Sequence, residues 1–516
     1  MFKAIVAASA LLAAVPAAAS GGEWWYGESD NFRVYSNGEK KDAEELILSL
    51  ERLDQAMRMF RGLPLNKGEM PDAAKPTVYQ FGQTSDIGQL AGSQGVAGFF
   101  IPRAGNSVAF VPLEGDRQRG SLHARREDDR ALKPSQVLFH EYAHYFMFQH
   151  APAAYPAWYI EGFAELFGTL DLREDGFNLG DPPKYRSDAI QYLDFDVERV
   201  LNPPERISGF DVERLYAYGW LFTSYLSFEP SRTGQLAKYL TLINAGKPNL
   251  DAAREAFGDL KVLAKELDKY RLGRARGLAV RFPEGSAPRF ELRQATPGEA
   301  ARMKVHMRST AGVSERQAAG LVDPARALVA QHPQSVPVLL AATEAELDAR
   351  NLDEAEALAK RALAIDPRSI EAHLFLAGVE RERAKTNPAR LAEARAHYVR
   401  ANKLDRNHPV ALTGYYLSFV LANETPPEDA LIALETAYRY APFDPAIRQN
   451  LAHLLLVEKR DREAKLILGP VINSPHGGKT AEKYRELVAK LEAGDRAPLM
   501  EELRPVLTDK KAEEDS

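Results

Sequence analysis

Within five residues, His140-Glu141-Tyr142-Ala143-His144 brings together two imidazoles and a carboxylate. On a helix the two histidines stand four apart on one face, a spacing that lets both reach one tetrahedral Zn2+. Such an ion needs a third protein ligand. Glu161 and Glu165 offer one, again four apart, in the stretch Trp158-Tyr159-Ile160-Glu161-Gly162-Phe163-Ala164-Glu165. Either carboxylate can complete a His2Glu set while the other orients a histidine from behind. A fourth position left to water distinguishes a catalytic site from a structural one.

The elements that must position these groups are legible. Pro134 and Ser135 stand where a helix begins, and Val137, Leu138, Phe146 and Met147 supply an apolar face, so the histidines are expected on a helix. Core histidines satisfied by hydrogen bonds would use the same residues. The second carboxylate-bearing helix argues against that reading.

The two stretches together resemble the gluzincin metallopeptidases, in particular the peptidase-MA-like group, whose second helix carries a W-x-x-E-G-x-A-E pattern. The resemblance implies zinc ligands at His140, His144 and Glu161 and a general base at Glu141. It also implies an oxyanion-stabilising tyrosine on a later helix in a Y-x-x-G setting, matched by Tyr216-Ala217-Tyr218-Gly219. The aminopeptidase branch that shares this setting usually has a lysine before the glycine, where this chain has Tyr218. Without the resemblance, both tyrosines read as core residues of an amphipathic helix. Side-chain supply agrees on the third ligand. With Glu161 bound to metal, Glu165 stands one turn on as an outer carboxylate; with Glu165 bound, the equivalent position would be the uncharged Thr169.

The rest of the chain supplies context. Residues 1–19 have a lysine near the start, an apolar run and Ala17-Ala18-Ala19, the pattern of a cleavable signal peptide. There is no cysteine, which excludes disulfides, thiolate ligands and cysteine catalysis and suits an oxidising compartment. A periplasmic or secreted protein is expected, cleaved near Ala19, without a membrane span in the mature chain. At 516 residues, 45% hydrophobic and 27% charged, the chain is long enough for two or three packed units. A net charge of -6 with interspersed signs argues against nucleic acid as a partner.

Residues 31–36 and 76–81 alternate as strands, and residues 43–60 carry Leu46, Leu50, Leu53 and Met57 at helical spacing. Segments 96–101 and 107–111 flank Arg103-Ala104-Gly105-Asn106 as a hairpin. The gluzincin resemblance would give that hairpin's edge the task of holding an extended substrate by main-chain hydrogen bonds; an ordinary surface hairpin has the same pattern. Residues 178–270 read as mainly helical, and Pro283, Gly285, Pro288 and Pro297 mark a boundary.

Beyond it, alanine-rich helices repeat. Leu321, Ala355, Ala394, Ala430 and Ala464 recur at intervals of 34, 39, 36 and 34, each followed seven residues on by Leu328, Ala362, Ala401, Ala437 and Val471. Turns follow at His332-Pro333, Asp366-Pro367, Asp405-Arg406 and Ala441-Pro442, and residues 385–390 account for the longer interval. This pattern resembles the tetratricopeptide repeat, a helix pair that stacks on its neighbours. The expected organisation is a signal peptide at 1–19, an α+β zincin-like metallopeptidase domain at 20–285, a linker at 286–297, an all-α solenoid at 298–490 able to fold by itself, and a charged tail over 491–516.

The function expected is zinc-dependent hydrolysis of peptide bonds, with the repeats binding a protein partner. The G-x-M-E-N motif of the aminopeptidase branch is missing from the sequence, so endopeptidase action is the first reading. A catalytically idle metal domain on a protein-binding scaffold is the second.

Overall fold

A computed structural model describes residues 23–65, 72–93, 96–113, 131–203, 209–273, 275–474 and 477–506. The signal peptide expected at 1–19 and the end of the tail lie outside these residues.

Nine strands occur among the described residues: β1 Trp25–Ser29, β2 Arg33–Ser36, β3 Thr77–Gln80, β4 Phe99–Ile101, β5 Val108–Val111, β6 Asp171–Leu172, β7 Gly176–Leu179, β8 Leu278–Arg281 and β9 Phe290–Gln294. Six form one sheet in the order β4-β5-β3-β2-β1-β9, and β6-β7-β8 form a second. β2, β3 and β5 run parallel, so the chain must cross over between them. Helices α1 Lys40–Arg61 and α2 Thr84–Ala91 make the crossings. Leu46, Leu50, Leu53 and Met57 of α1 are buried, as their spacing predicts, and Gly62 ends the helix at a positive φ of 65°. The hairpin expected around residues 103–106 is β4–β5, and β4 is an edge of the sheet.

Helices α3 Pro134–His150 and α4 Ala157–Gly168 follow, then α5 Ser187–Tyr192, α6 Val197–Leu201, α7 Gly209–Phe228, α8 Gln235–Asn244, α9 Asn249–Phe257 and α10 Leu260–Leu272. α4 packs between α3 and α7 in the largest core, with α1 behind α3.

The remaining helices pair as a solenoid: α11 Pro297–Ala311, α12 Glu315–Gln331, α13 Val336–Asp348, α14 Leu352–Ile365, α15 Ile370–Ala384, α16 Leu391–Leu404, α17 Pro409–Val420, α18 Glu428–Tyr440, α19 Pro445–Val457, α20 Asp461–Ile472, α21 Gly478–Glu492 and α22 Ala497–Leu503. Each turn expected from the repeat falls between two of these helices, and Ala355, Ala394, Ala430 and Ala464 are all buried. One register differs. In α12 the buried positions are Ala318, Val322 and Ala325, so Ala318, 37 residues before Ala355, is the structural equivalent, and Leu321 lies to one side. The reason is that packing selects the residue facing α11 and α13, whereas sequence pattern scored any apolar residue.

Two boundaries also differ. The segment 286–297, expected as a linker, contains β9, which pairs antiparallel with β1 and completes the sheet. The tail expected from residue 491 remains helical through α22, whose Leu499 and Leu503 are buried. The array also shares a core with the sheet. Tyr35, Tyr79 and Phe110 stack across β2, β3 and β5, with ring centroids 5.5 and 5.3 Å apart, and Met303 and Met307 of α11 cover them. Among the described residues no helix is long and apolar enough to cross a membrane.

Candidate metal centre

α3 begins with Pro134 at its first turn, where a missing N–H costs nothing, and the Gln136 side chain accepts the Lys133 N–H at 3.0 Å. Its rear face is fixed by a buried polar network. Tyr142 donates to Asp54 at 2.7 Å; Asp54 accepts from Arg58 at 2.6 Å; Arg58 reaches His150 Nε2 at 3.1 Å. Removing one partner would strand a buried charge, so α1 sets the rotation of the histidine helix. This network was missed in the sequence. A signal existed: Asp54 and Arg58 lie four apart on the apolar face of α1.

α4 is buried on every side from Trp158 to Gly168, although it carries two glutamates. It can do so only because both carboxylates have partners. Glu165 Oε2 accepts from the Tyr185 hydroxyl at 2.7 Å, and Oε1 accepts from Arg186 at 3.2 and 3.3 Å. Its Oε1 is 3.8 Å from His140 Nδ1, beyond hydrogen-bonding distance. The expected bond from Glu165 to a histidine is thus replaced by a grip from Tyr185 and Arg186, both on the 3-10 turn Lys184–Arg186. Nothing in the spacing pointed to them, because the β6–β7 hairpin intervenes.

Glu161 faces the histidines. His140 Nε2 and His144 Nε2 are 3.2 Å apart, and Glu161 Oε2 is 3.4 Å from the first and 3.7 Å from the second. Bonds of 2.0–2.1 Å to a tetrahedral ion put ligand atoms about 3.3 Å apart. The three donors fit that triangle, so His140, His144 and Glu161 can hold a metal ion. Side-chain exposure rises from 0% at Glu161 to 11% at His140 and 20% at His144, which sets the direction of access. Burial disfavours the charged imidazole of His140, yet Glu161, Glu165 and Glu141 outweigh it and raise the pKa. The pocket therefore has an excess of negative charge that favours a cation.

Tyr216 stacks on His140 with ring centroids 5.8 Å apart and planes 16° from parallel, and the Arg186 guanidinium lies 4.6 Å from the Tyr216 ring. Burial, then the charges of Glu161 and Glu141, push its pKa up, so its hydroxyl remains a donor. Tyr218 is fully buried and donates to the Leu193 carbonyl, a core role.

A cleft of about 390 Å³ opens on Glu141, His144 and Glu161. Phe100 of β4 and Tyr145, Phe148 and Ile160 line it on one side. The other side comes from the repeats.

No family model and no curated protein matches the chain. Among solved structures it is similar to a thermophilic TPR protein of Thermus thermophilus, TTC0263, at 17% identity and a TM-score of 0.31, over 36% of this chain and 97% of that one. At that TM-score the likeness carries no weight, and the repeat assignment stands on the paired helices and their buried alanines. Residues 140–165 lie on α3, α4 and the loop joining them.

Proposed function

We propose that the chain is an exported zinc metallopeptidase of gluzincin type that cleaves peptide bonds within polypeptides. What supports this is the triangle of His140, His144 and Glu161 donors, with Glu141 in the same cleft. These three residues would hold Zn2+, which when bound supplies a Lewis acid for the scissile carbonyl and acidifies a water.

The chain's own groups carry the proton transfers. Glu141 takes a proton from the attacking water as its oxygen bonds to the carbonyl carbon, and delivers it to the departing amine as the C–N bond breaks. The Tyr216 hydroxyl donates to the oxygen that gains charge. Arg186 is the positioning residue behind it, fixed by Glu165 and by Glu213 at 3.0 and 3.1 Å. The outer edge of β4, with Phe100 turned into the cleft, suits an extended substrate. The expected leader and the missing cysteines support export to the periplasm or beyond. The repeats supply a surface for protein binding. The reading in which the metal domain is idle gains nothing from this geometry.

Purified chain should contain about one zinc per molecule by atomic absorption and cleave a peptide library in a chelator-sensitive way. Metal-loaded protein that leaves every peptide intact would sink the proposal.

A further inference from the structure

The cleft wall opposite the catalytic groups belongs to the repeats. Phe443, in the turn between α18 and α19, lies 4.7 Å from Tyr145, the residue after His144, ring centroid to ring centroid. That turn is tightly held. Arg448, 2% exposed, donates to the Pro442 carbonyl and, at 2.7 Å, to the Ile467 carbonyl. Asp444 accepts the Ala104 N–H of the β4–β5 turn at 2.8 Å and caps α19 through the Ile447 N–H at 2.9 Å. Phe443 is therefore fixed between one residue anchored to the solenoid and one anchored to the substrate-side hairpin.

Pro470 and Val471, near the end of α20, extend the wall. Val471 occupies the repeat position that is fully buried at Ala362, Ala401 and Ala437, yet here it is half-buried and faces the cleft. Val471 thus keeps its contact with the solenoid core and also borders the cleft that holds Glu141 and His144.

Resting on the peptidase reading, the geometry points to the repeats as part of the reaction cleft: Phe443, Pro470 and Val471 select a large apolar side chain beside the scissile bond of a polypeptide. A carbonyl at Glu141 and His144 leaves its neighbouring side chain among Phe100, Phe148, Phe443 and Val471. A carboxylate placed among these four would lose its water and lie near the carboxylates of Glu141 and Glu161, which share the cleft. Arg448, 2% exposed, keeps its charge but directs two of its N–H donors at the two carbonyls rather than at the cleft. About 390 Å³ accommodates a leucine or phenylalanine with adjoining backbone.

The test uses the full chain, loaded with zinc, and quenched peptides that differ at one position beside the scissile bond: Phe, Leu, Ala or Asp. Wild type is expected to favour Phe and Leu over Ala and Asp by about 10- to 200-fold in kcat/KM. Phe443→Ala and Val471→Asp should each reduce that preference at least tenfold while retaining zinc. As a second readout, anisotropy of fluorescein-labelled Leu and Asp peptides on the Glu141→Gln chain should show the same preference in binding, and Phe443→Ala in that background should reduce it. Phe443→Leu and Val471→Ala replace any variant that fails to fold. An active wild type whose preference is absent, or survives these changes, overturns the role of the repeats alone. A wild type no faster than Glu141→Gln overturns the peptidase reading, and this inference with it.

Discussion

Gly162 of α4 and Gly219 of α7 meet backbone to backbone: a Cβ on Gly162 would fall 2.1 Å from the Gly219 carbonyl oxygen, and one on Gly219 would fall 2.6 Å from the Trp158 carbonyl oxygen. Only hydrogen fits between the helices at this crossing. Glu161 precedes the first glycine and Tyr216 lies one turn before the second, so the crossing carries the carboxylate and the hydroxyl to the same histidine. Gly162→Ala should therefore destabilise the fold by about 1–3 kcal/mol or more and also weaken metal retention. Thermal melting and zinc content after dialysis measure both; an unchanged melting temperature would show that the helices can part freely.

Glu141→Gln should leave the fold and zinc content intact, because it removes a base and no ligand. Loss of assisted proton transfer is expected to lower kcat by about 100- to 10,000-fold. Cleavage at the wild-type rate would exclude Glu141 as the base.

Glu161→Ala should largely abolish zinc retention, whereas Glu165→Ala should lower affinity or activity about 10- to 100-fold by releasing Tyr185 and Arg186. Atomic absorption after dialysis separates them. Metal kept by the first variant and lost by the second would reverse the assignment.

Burial pushes the Glu344 carboxyl up to about 7 from 4.5. It lies 3.0 Å from His306 Nδ1, and His306 Nε2 is 3.0 Å from the Tyr79 hydroxyl, linking α13 through α11 to β3. Burial, reinforced by Arg302, takes His306 down to about 3, so this contact is not an ion pair near neutrality. Asp348 is likewise pushed up to about 7, by burial and then by Glu344. Unfolded carboxyls release their protons first, so between the two pKa values the folded state holds more protons and stability falls as pH rises. Denaturation of wild type and Glu344→Gln from about pH 5 to about pH 8 should show a shallower decline in the variant, by on the order of 1 kcal/mol given the partial exposure of the site. Parallel curves would remove Glu344 from the account.

The repeat array from α11 onward, expressed without the sheet, should melt less cooperatively than the intact chain, because Met303 and Met307 lose Tyr35 and Tyr79 as cover. Met303→Ala in the full chain should cost about 2–5 kcal/mol. Circular dichroism of the fragment tests the point, and a melt as sharp as that of the whole protein would show the array to be self-sufficient.

Sequence by itself determined whatever depends on neighbours along a helix. The i, i+4 pairs His140/His144 and Glu161/Glu165, the apolar stripe of α1, the Tyr216-x-x-Gly219 spacing and the alanines of the repeats all follow from one periodicity, legible because 3.6 residues per turn converts spacing directly into a shared face. Tertiary structure alone decided what meets across long intervals of chain. Tyr185 and Arg186, rather than a histidine, hold Glu165; β9 closes the sheet beside β1; Val471, packed on the repeat core, also lines the cleft; Phe443 stands against Tyr145. Each of these contacts closes a loop whose geometry is set by the packing of the elements between, and packing depends on shape and burial in three dimensions, for which a one-dimensional pattern has no coordinate.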